Sequence, residues 1–478
     1  MNYQESLAYL DELNVFGISL GLVRIEKLLE LMGNPQNDYK TIHVTGTNGK
    51  GSVSAMVAST LKAAGISCGL YISPHLESYT ERIQIDGHWC SEDEFATALT
   101  VVKDLCEFMK GAGDEQPTQF EVITAAAFWL FKKKGVEYAV IEVGLGGLLD
   151  STNVIVPEVS VITNVTFEHG DKCGGTLEGV AKHKAGIIKE GVPVVTGAAG
   201  MPLDIIKKTA QEKHSQIYVM NEDFSGEALR PLAQLSIPPA LGMTAAGQAE
   251  RSFTDTRIEA LAKLPMTHVA GENRQLVAFH GNGAVLGNMD YRLALLGLHQ
   301  VGNSALAASA VMVLAENDLR LTQRAIKRGM ENVKWPGRFE LMEGYAPKLL
   351  IDGAHNPAGI ETLRKSLDYY FPGEKRIFVF GVLHDKDYRE MFKILLKPDD
   401  ILILTTPESD RAANPLEIIE LPEVAQKEAV AEPEEALKRG IELAKELDSE
   451  ERPAMTICAG SLYLIGALRS MIVKNKRN

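Results

Sequence analysis

Cysteine is scarce in this chain and scattered: five residues in 478, Cys68, Cys90, Cys106, Cys173 and Cys458, an odd number with no CxxC spacing. That pattern argues against a disulfide framework and a zinc site, and leaves most of the thiols as small core residues. Long apolar runs are missing too. No stretch approaches the ~18 residues of a membrane span, and the opening MNYQESLAYLDELN has neither the basic nor the apolar region of a signal peptide. A cytoplasmic protein with no membrane partner is expected. Basic charge is in deficit, 49 Lys and Arg against 63 Asp and Glu, for a formal net charge of -14. A nucleic-acid partner needs a basic face, so none is expected. An anionic small molecule remains admissible, because screening over ~8 Å leaves local cations and helix ends to decide what a cleft binds. Repeats and low-complexity tracts are absent, and no exposed apolar repeat suggests an interface, which predicts a monomer.

Length and composition set the next expectation. A chain of 478 residues, 45% hydrophobic and 23% charged, exceeds one ordinary core and predicts two domains. Buried-strand patterns recur in the first half, YKTIHVT, ISCGLYIS, EYAVIEVG, VSVITNV and VPVVTG, separated by helical patterns such as TAAAFWLFKKKG. A second series, KLLIDG, RIFVFGVL, DILILTTP and AMTICAG, follows with its own helices. The rhythm predicts α/β architecture, a mostly parallel sheet in a P-loop ATPase-like domain over 1–298 and a smaller Rossmann-like domain over 299–478. The boundary is drawn near LLGLHQVGN. Residues 221–267, rich in Ala, Pro and Gly, break the rhythm and read as a surface insertion; NRQLVAFHGNGAVLGNM reads as a hairpin turning at Asn282-Gly283.

The stretch TIHVTGTNGKGSVSAMVAST carries the first chemistry. A strand, then Gly46-Thr47-Asn48-Gly49-Lys50-Gly51-Ser52, then a helix is the order a phosphate cradle requires. Glycines let backbone N–H groups turn inward, the helix start adds partial positive charge, and the lysine reaches the outer phosphates. The spacing departs from GxxxxGK[ST], since Val44 holds the first glycine position and Gly51 precedes the serine. The competing reading is a tight βα turn with glycines for close packing.

Further along, EVGLGGLLDSTN fails as a dinucleotide fingerprint because Leu149 stands where the last glycine belongs. Its Glu142 ends an apolar strand. A buried lone carboxylate is expensive, and one beside a phosphate loop suggests Mg²⁺, unless it caps a neighbouring helix. Glu168 and His169 close the next strand, and Lys184 follows in AKHKAGIIKEG. Singly these are a surface acid, a loop histidine and a solvated lysine; their shared place at strand carboxyl ends sets them apart. SPHL alone is too weak to suggest a catalytic triad.

Together HVTGTNGKGS, SPHLESYTERI, EVGLGGLLDSTN, KAGIIK, HQVGN, WPGRFE, DGAHNP, DKD and GSLYLIG, in this order from about residue 40 to 470, resemble folylpolyglutamate synthase / dihydrofolate synthase of the Mur ligase superfamily. The resemblance implies an ATP-dependent ligase that joins L-glutamate to a folate or dihydropteroate carboxylate through an acyl phosphate. It also implies two Mg²⁺ ions. Gly46, Thr47, Asn48, Gly49, Lys50, Gly51 and Ser52 then hold the ATP phosphates, Ser73 and Glu142 the first Mg²⁺, and His169 the second. Lys184 matches the lysine that the superfamily carbamylates, which turns a repelling ammonium into an anionic oxygen ligand. Gln300 and Asn303 lie near the nucleotide and the hinge, Arg338 and Asp352 contact ATP, and His355 places the glutamate or the phosphate. Three positions depart from the family pattern: Leu148 stands in place of Arg, Glu168 in place of Asp, and His183 in place of Glu. A sister Mur-type ligase for another carboxylate and a non-catalytic nucleotide-binding module are the alternatives.

Overall fold

The computed structural model describes residues 1–13, 17, 19–168, 172–229 and 274–475. Its first sheet is built from β1 (Lys40–Thr45), β2 (Cys68–Tyr71), β3 (Ile83–Ile85), β4 (His88–Trp89), β5 (Tyr138–Glu142), β6 (Val159–Ile162), β7 (Val194–Thr196) and β8 (Ile217–Val219). They lie in the order β4-β3-β2-β5-β1-β6-β7-β8, parallel except at β3 and β4. β-Branched residues dominate the central strands, which are buried on both faces as a parallel sheet requires. Helices Glu92–Ala112 and Gln119–Lys134 cover one face. Each starts with a reciprocal capping box, Ser91 with Glu94 and Thr118 with Glu121, and each ends at a left-handed glycine.

On the other face, helix Lys50–Ala63 shares a core with helices Leu298–Leu314 and Gln323–Asn332 and with a three-stranded antiparallel sheet. That sheet comprises β9 (Phe224–Leu229), β10 (Gln275–Gly281) and β11 (Met289–Leu293). β10 and β11 form the expected hairpin, but residues 282–288 make a wide loop in place of a two-residue turn, and Asn288 Oδ1 accepts from Gly281 N at 3.0 Å. Of the expected insertion, residues 221–229 form a turn and β9, and the rest lies outside the described residues.

The second sheet holds β12 (Glu340–Leu341), β13 (Lys348–Ile351), β14 (Lys375–Phe380), β15 (Ile401–Leu404), β16 (Gln426–Ala429) and β17 (Ala454–Ala459), ordered β12-β13-β17-β14-β15-β16. Helices Pro357–Tyr370 and Tyr388–Leu395 cover one face, and Pro433–Leu447 and Leu462–Asn475 the other. This sheet begins only at Glu340. The two helices after residue 298 both pack in the first core: Leu298–Leu314, apolar nearly all round, because its Ala and Ser positions let it approach helix Lys50–Ala63 closely, and Gln323–Asn332 through one face that carries Ala325, Ile326 and Met330.

His43 marks the dry centre of the first sheet. It is fully buried on β1, with Nε2 at 2.9 Å from Thr152 Oγ1, and burial pushes its pKa down to about 3. Because the folded-state pKa is depressed, the unfolded chain binds the extra proton, and stability is lost as pH falls from the ordinary value of 6.5 toward 3. In His43→Gln, the dependence of urea-derived stability on pH is expected to flatten by up to ~1.4 kcal/mol per pH unit between roughly pH 6 and 4. Parallel curves for the two proteins would contradict this.

Candidate active site

β1 is paired with β5 on one side and β6 on the other, with Val44 opposite Glu142 and Thr45 opposite Ile162. Three strand ends therefore open onto one crevice, the place where an open α/β sheet holds ligands. The chain leaves β1 through Gly46–Gly49 and enters helix Lys50–Ala63. Gly49 has φ 84°, and a Cβ there would lie 2.4 Å from Asn303 Oδ1; one on Gly46 would lie 1.8 Å from Thr163 Oγ1. Only glycine lets the backbone approach both neighbours.

The segment after β6 staples this turn. Thr47 N donates to Asn164 O at 3.0 Å and Asn48 N to Asn164 Oδ1 at 2.9 Å. Thr163 Oγ1 and Asn164 Nδ2 both donate to Asn48 O, at 2.6 and 3.1 Å. Lys50 Nζ lies back over the turn and donates to the carbonyls of Gly46 and Thr47, each at 3.1 Å. Ser52 Oγ accepts from Gln300 Nε2 at 3.2 Å, and Gln300 Oε1 accepts from Asn303 Nδ2 at 3.0 Å, so helix Leu298–Leu314 supports the start of the loop helix.

Beside the turn, Glu142 is 4% exposed and accepts from Ser73 N at 3.3 Å. Burial pushes its carboxyl up to about 7, while Lys50, the Ser73 N–H, Arg338 and Arg82 pull it back. Lys184, on helix Leu177–Ala185, shares a cavity of ≈ 30 Å³ with Gly46, Lys50, Gly144, Leu145, Gly146 and Glu168. Burial, then the charge of Lys50, lowers its amine to about 7, against Cys173, Glu168 and Asp150. At neutral pH part of it is therefore uncharged and nucleophilic.

The second sheet closes the crevice. Arg338, just before β12, faces both Asp352 and Glu142. Asp352 is fixed by donation from Phe339 N and Ala354 N, each at 2.8 Å; burial raises its pKa and Arg338 opposes. His355 Nδ1 meets Gly353 O at 2.8 Å, so that nitrogen carries the proton, and burial lowers the ring's pKa. Asn356 Nδ2 donates across the crevice to Glu168 Oε1 at 3.2 Å. Lys50, Ser73, Glu142, Lys184, Arg338, Asp352 and His355 are thus linked through contacts or mutual charge, whereas His169 lies outside the described residues. Among the described residues no three His, Cys, Asp or Glu side chains cluster as a metal cage.

Residues 44–230 match the Mur ligase middle domain, and residues 337–460 the Mur ligase glutamate ligase domain. The chain is 31% identical to the dihydrofolate synthase/folylpolyglutamate synthase of Bacillus subtilis (strain 168), over 98% of this chain and 99% of that protein. The folylpolyglutamate synthase of Lacticaseibacillus casei is 33% identical over 100% of both chains. The chain belongs to the folylpolyglutamate synthase / dihydrofolate synthase family. A Mycobacterium tuberculosis folylpolyglutamate synthase solved in complex with ADP and AMPPCP superimposes with a TM-score of 0.80 at 28% identity, over 98% of this chain and 99% of that one. The shared architecture is the two-sheet α/β arrangement described above.

Several supports of this crevice carry no signal in motif spacing. Asn164 and Thr163 look like no more than the end of a strand, and Trp335, whose indole would lie 2.4 Å from a Cβ on Gly51, like no more than part of WPGRFE. Asn356 carries a usable signal, Asn before Pro, which it fulfils by capping helix Pro357–Tyr370 through Gly359 N at 2.8 Å.

Proposed function

We propose that the chain joins L-glutamate to the carboxylate of a folate or of dihydropteroate at the expense of ATP. One observation carries the reading: a glycine turn with its lysine adjoins a buried strand-end carboxylate, Glu142, on which Arg338, in the segment leading into the second sheet, also exerts its charge. A carboxylate is a poor electrophile toward an amine. In this reading its oxygen attacks the γ-phosphorus of ATP, the bond to the β-phosphate oxygen breaks, and ADP leaves. The amine of glutamate then attacks the acyl carbon, and phosphate departs as the amine loses its proton. Gly46 to Ser52 hold the phosphates, with Gln300 and Asn303 supporting them, and Lys50 and Arg338 neutralise the charge that builds on the transferring group. Asp352 orients the Arg338 segment, and His355 stands where the glutamate or the phosphate sits.

The donor set fits Mg²⁺. Glu142 and the Ser73 hydroxyl are hard oxygen ligands, and a site short of protein ligands suits an ion that keeps waters and binds substrate phosphates. Two ions are assigned, the second to His169 with Lys184 as a carbamate; when bound they neutralise phosphate charge. Closure of the two sheets over the crevice excludes water from the acyl phosphate. We divide the working units near residues 333–339 rather than at the expected 298/299, because helices Leu298–Leu314 and Gln323–Asn332 pack in the first core. A cytoplasmic enzyme suits five buried cysteines that form no disulfide, and we take it to act as a monomer. Among the described residues no helix is long and apolar enough to cross a membrane.

The test is ADP release with ATP, Mg²⁺ and L-glutamate, comparing dihydropteroate with tetrahydrofolate. Release that needs both glutamate and an acceptor, with a product heavier by one glutamyl group, is expected for at least one of them. Silence with both, and turnover on another carboxylate, would move the chain to a different Mur-type ligase.

A further inference from the structure

We propose that Arg469 is a positioning residue for this ligation, registering Arg338 of the second sheet against the Ser73–Glu142 corner of the first. The inference rests on the ligase reading above. Arg469, on helix Leu462–Asn475, grips Glu340 with a two-pronged fork, Nε to Oε2 at 2.8 Å and Nη2 to Oε1 at 3.0 Å. Its remaining prong, Nη1, donates to Glu77 Oε1 at 2.6 Å in the other domain. All three side chains are mostly shielded, at 16% exposure for Arg469, 18% for Glu77 and 24% for Glu340, so this is no ordinary solvated pair.

Each carboxylate leads by a short stiff path to a proposed catalytic group. Glu340 Oε2 also accepts from Gly337 N at 2.7 Å, and Gly337 precedes Arg338, whose Nη1 donates back to Gly337 O at 3.1 Å. Glu77 belongs to the loop that follows Ser73. Glu81 pins that loop by accepting from Leu76 N, Glu77 N and Ser78 N at 2.9, 2.6 and 2.7 Å. Between the two paths the surfaces interlock. A Cβ on Gly466 would lie 2.1 Å from Leu76 O, and one on Gly337 3.0 Å from Leu76 Cδ2. Leu76 packs against the second domain's core. One guanidinium thus fixes the Leu76 knob in its socket and with it the offset between Ser73 and Arg338.

In Arg469→Met, kcat for acceptor- and glutamate-dependent ADP release is expected to fall about tenfold or more, as misplacement of reacting groups does, with the KM for ATP changed less. Arg338→Met is expected to cost at least about fivefold less in the Arg469→Met background than alone, because the two act as one unit. Hydrogen exchange in peptides covering 73–82 and 336–341 is expected to accelerate together in Arg469→Met and in Glu77→Gln. Overturning results are a kcat within twofold of native, or additive effects of the two arginine substitutions. If the native protein does not ligate, the ligase reading fails separately, and unchanged exchange in both peptides still overturns the tie.

Discussion

Lys50→Ala is expected to lower ATP-dependent ligation by about 10³-fold or more while leaving the fold intact, since charge stabilisation at a transferring phosphoryl group is worth several kcal/mol. Among the described residues the ammonium donates to two carbonyls of its own turn, Gly46 and Thr47, and to no other element of the fold. The turn itself is held by Thr163 and Asn164, which the substitution leaves in place. The consequence for neighbouring groups has a definite sign. Lys50 lowers the pKa of both Glu142 and Lys184, so its loss lifts the Glu142 carboxyl further above its ordinary value and lets the Lys184 amine climb back toward its own. Both changes work against ligation, the first by protonating a proposed metal ligand and the second by protonating an amine meant to stay neutral. ADP release with native and variant protein, beside circular dichroism and urea unfolding, separates the two roles. Unimpaired ligation in a folded variant would remove the phosphate-loop assignment.

The glycine turn was legible because its residues are contiguous and its physics local: a buried strand, inward-turning amides and a helix start. Glu142 was legible for a related reason, a charge at the end of YAVIE that the apolar pattern does not explain. The elements that escaped are those whose identity is set from elsewhere. β16, QKEA, and β12, two residues long, are missing from the strand patterns of the sequence because edge strands lack the apolar alternation that marks a core strand. Gly297, with φ 105°, has the look of a linker, yet the helix it opens is claimed by the first core and only touched by the second domain, through Ser366 Oγ to Leu298 N at 3.1 Å. Asn164 and Arg469 act through partners about 116 and 392 residues away in sequence. No single-chain periodicity carries such pairings.

Glu142→Gln is expected to move activity and stability in opposite directions. The side chain is buried, its one donor among the described residues is Ser73 N, and burial holds its carboxyl at about 7 where 4.5 is ordinary. A raised folded-state pKa means that the native state favours the protonated form. The carboxylate therefore costs nothing below 4.5, and its full cost, on the order of 3 kcal/mol, is reached once pH passes 7. Glutamine keeps the shape and an oxygen that accepts from Ser73 N, and it removes the charge. With metal chelated, the variant is expected to outlast the native protein in urea at about pH 8, with the advantage shrinking toward pH 4.5. In the presence of Mg²⁺ and ATP it is expected to lose ligation by about 10²-fold or more, because the proposed metal ligand is gone and the charge that Glu142 sets against Lys50 and, beside Asp352, against Arg338 is lost. A variant that is less stable at pH 8 and still active would make Glu142 a structural cap, and the crevice would need another residue at its centre. The opposed pair of results is what the proposed site predicts: a buried charge that the fold tolerates at a cost, set where Lys50 and Arg338 act on it and where the proposed metal would use it.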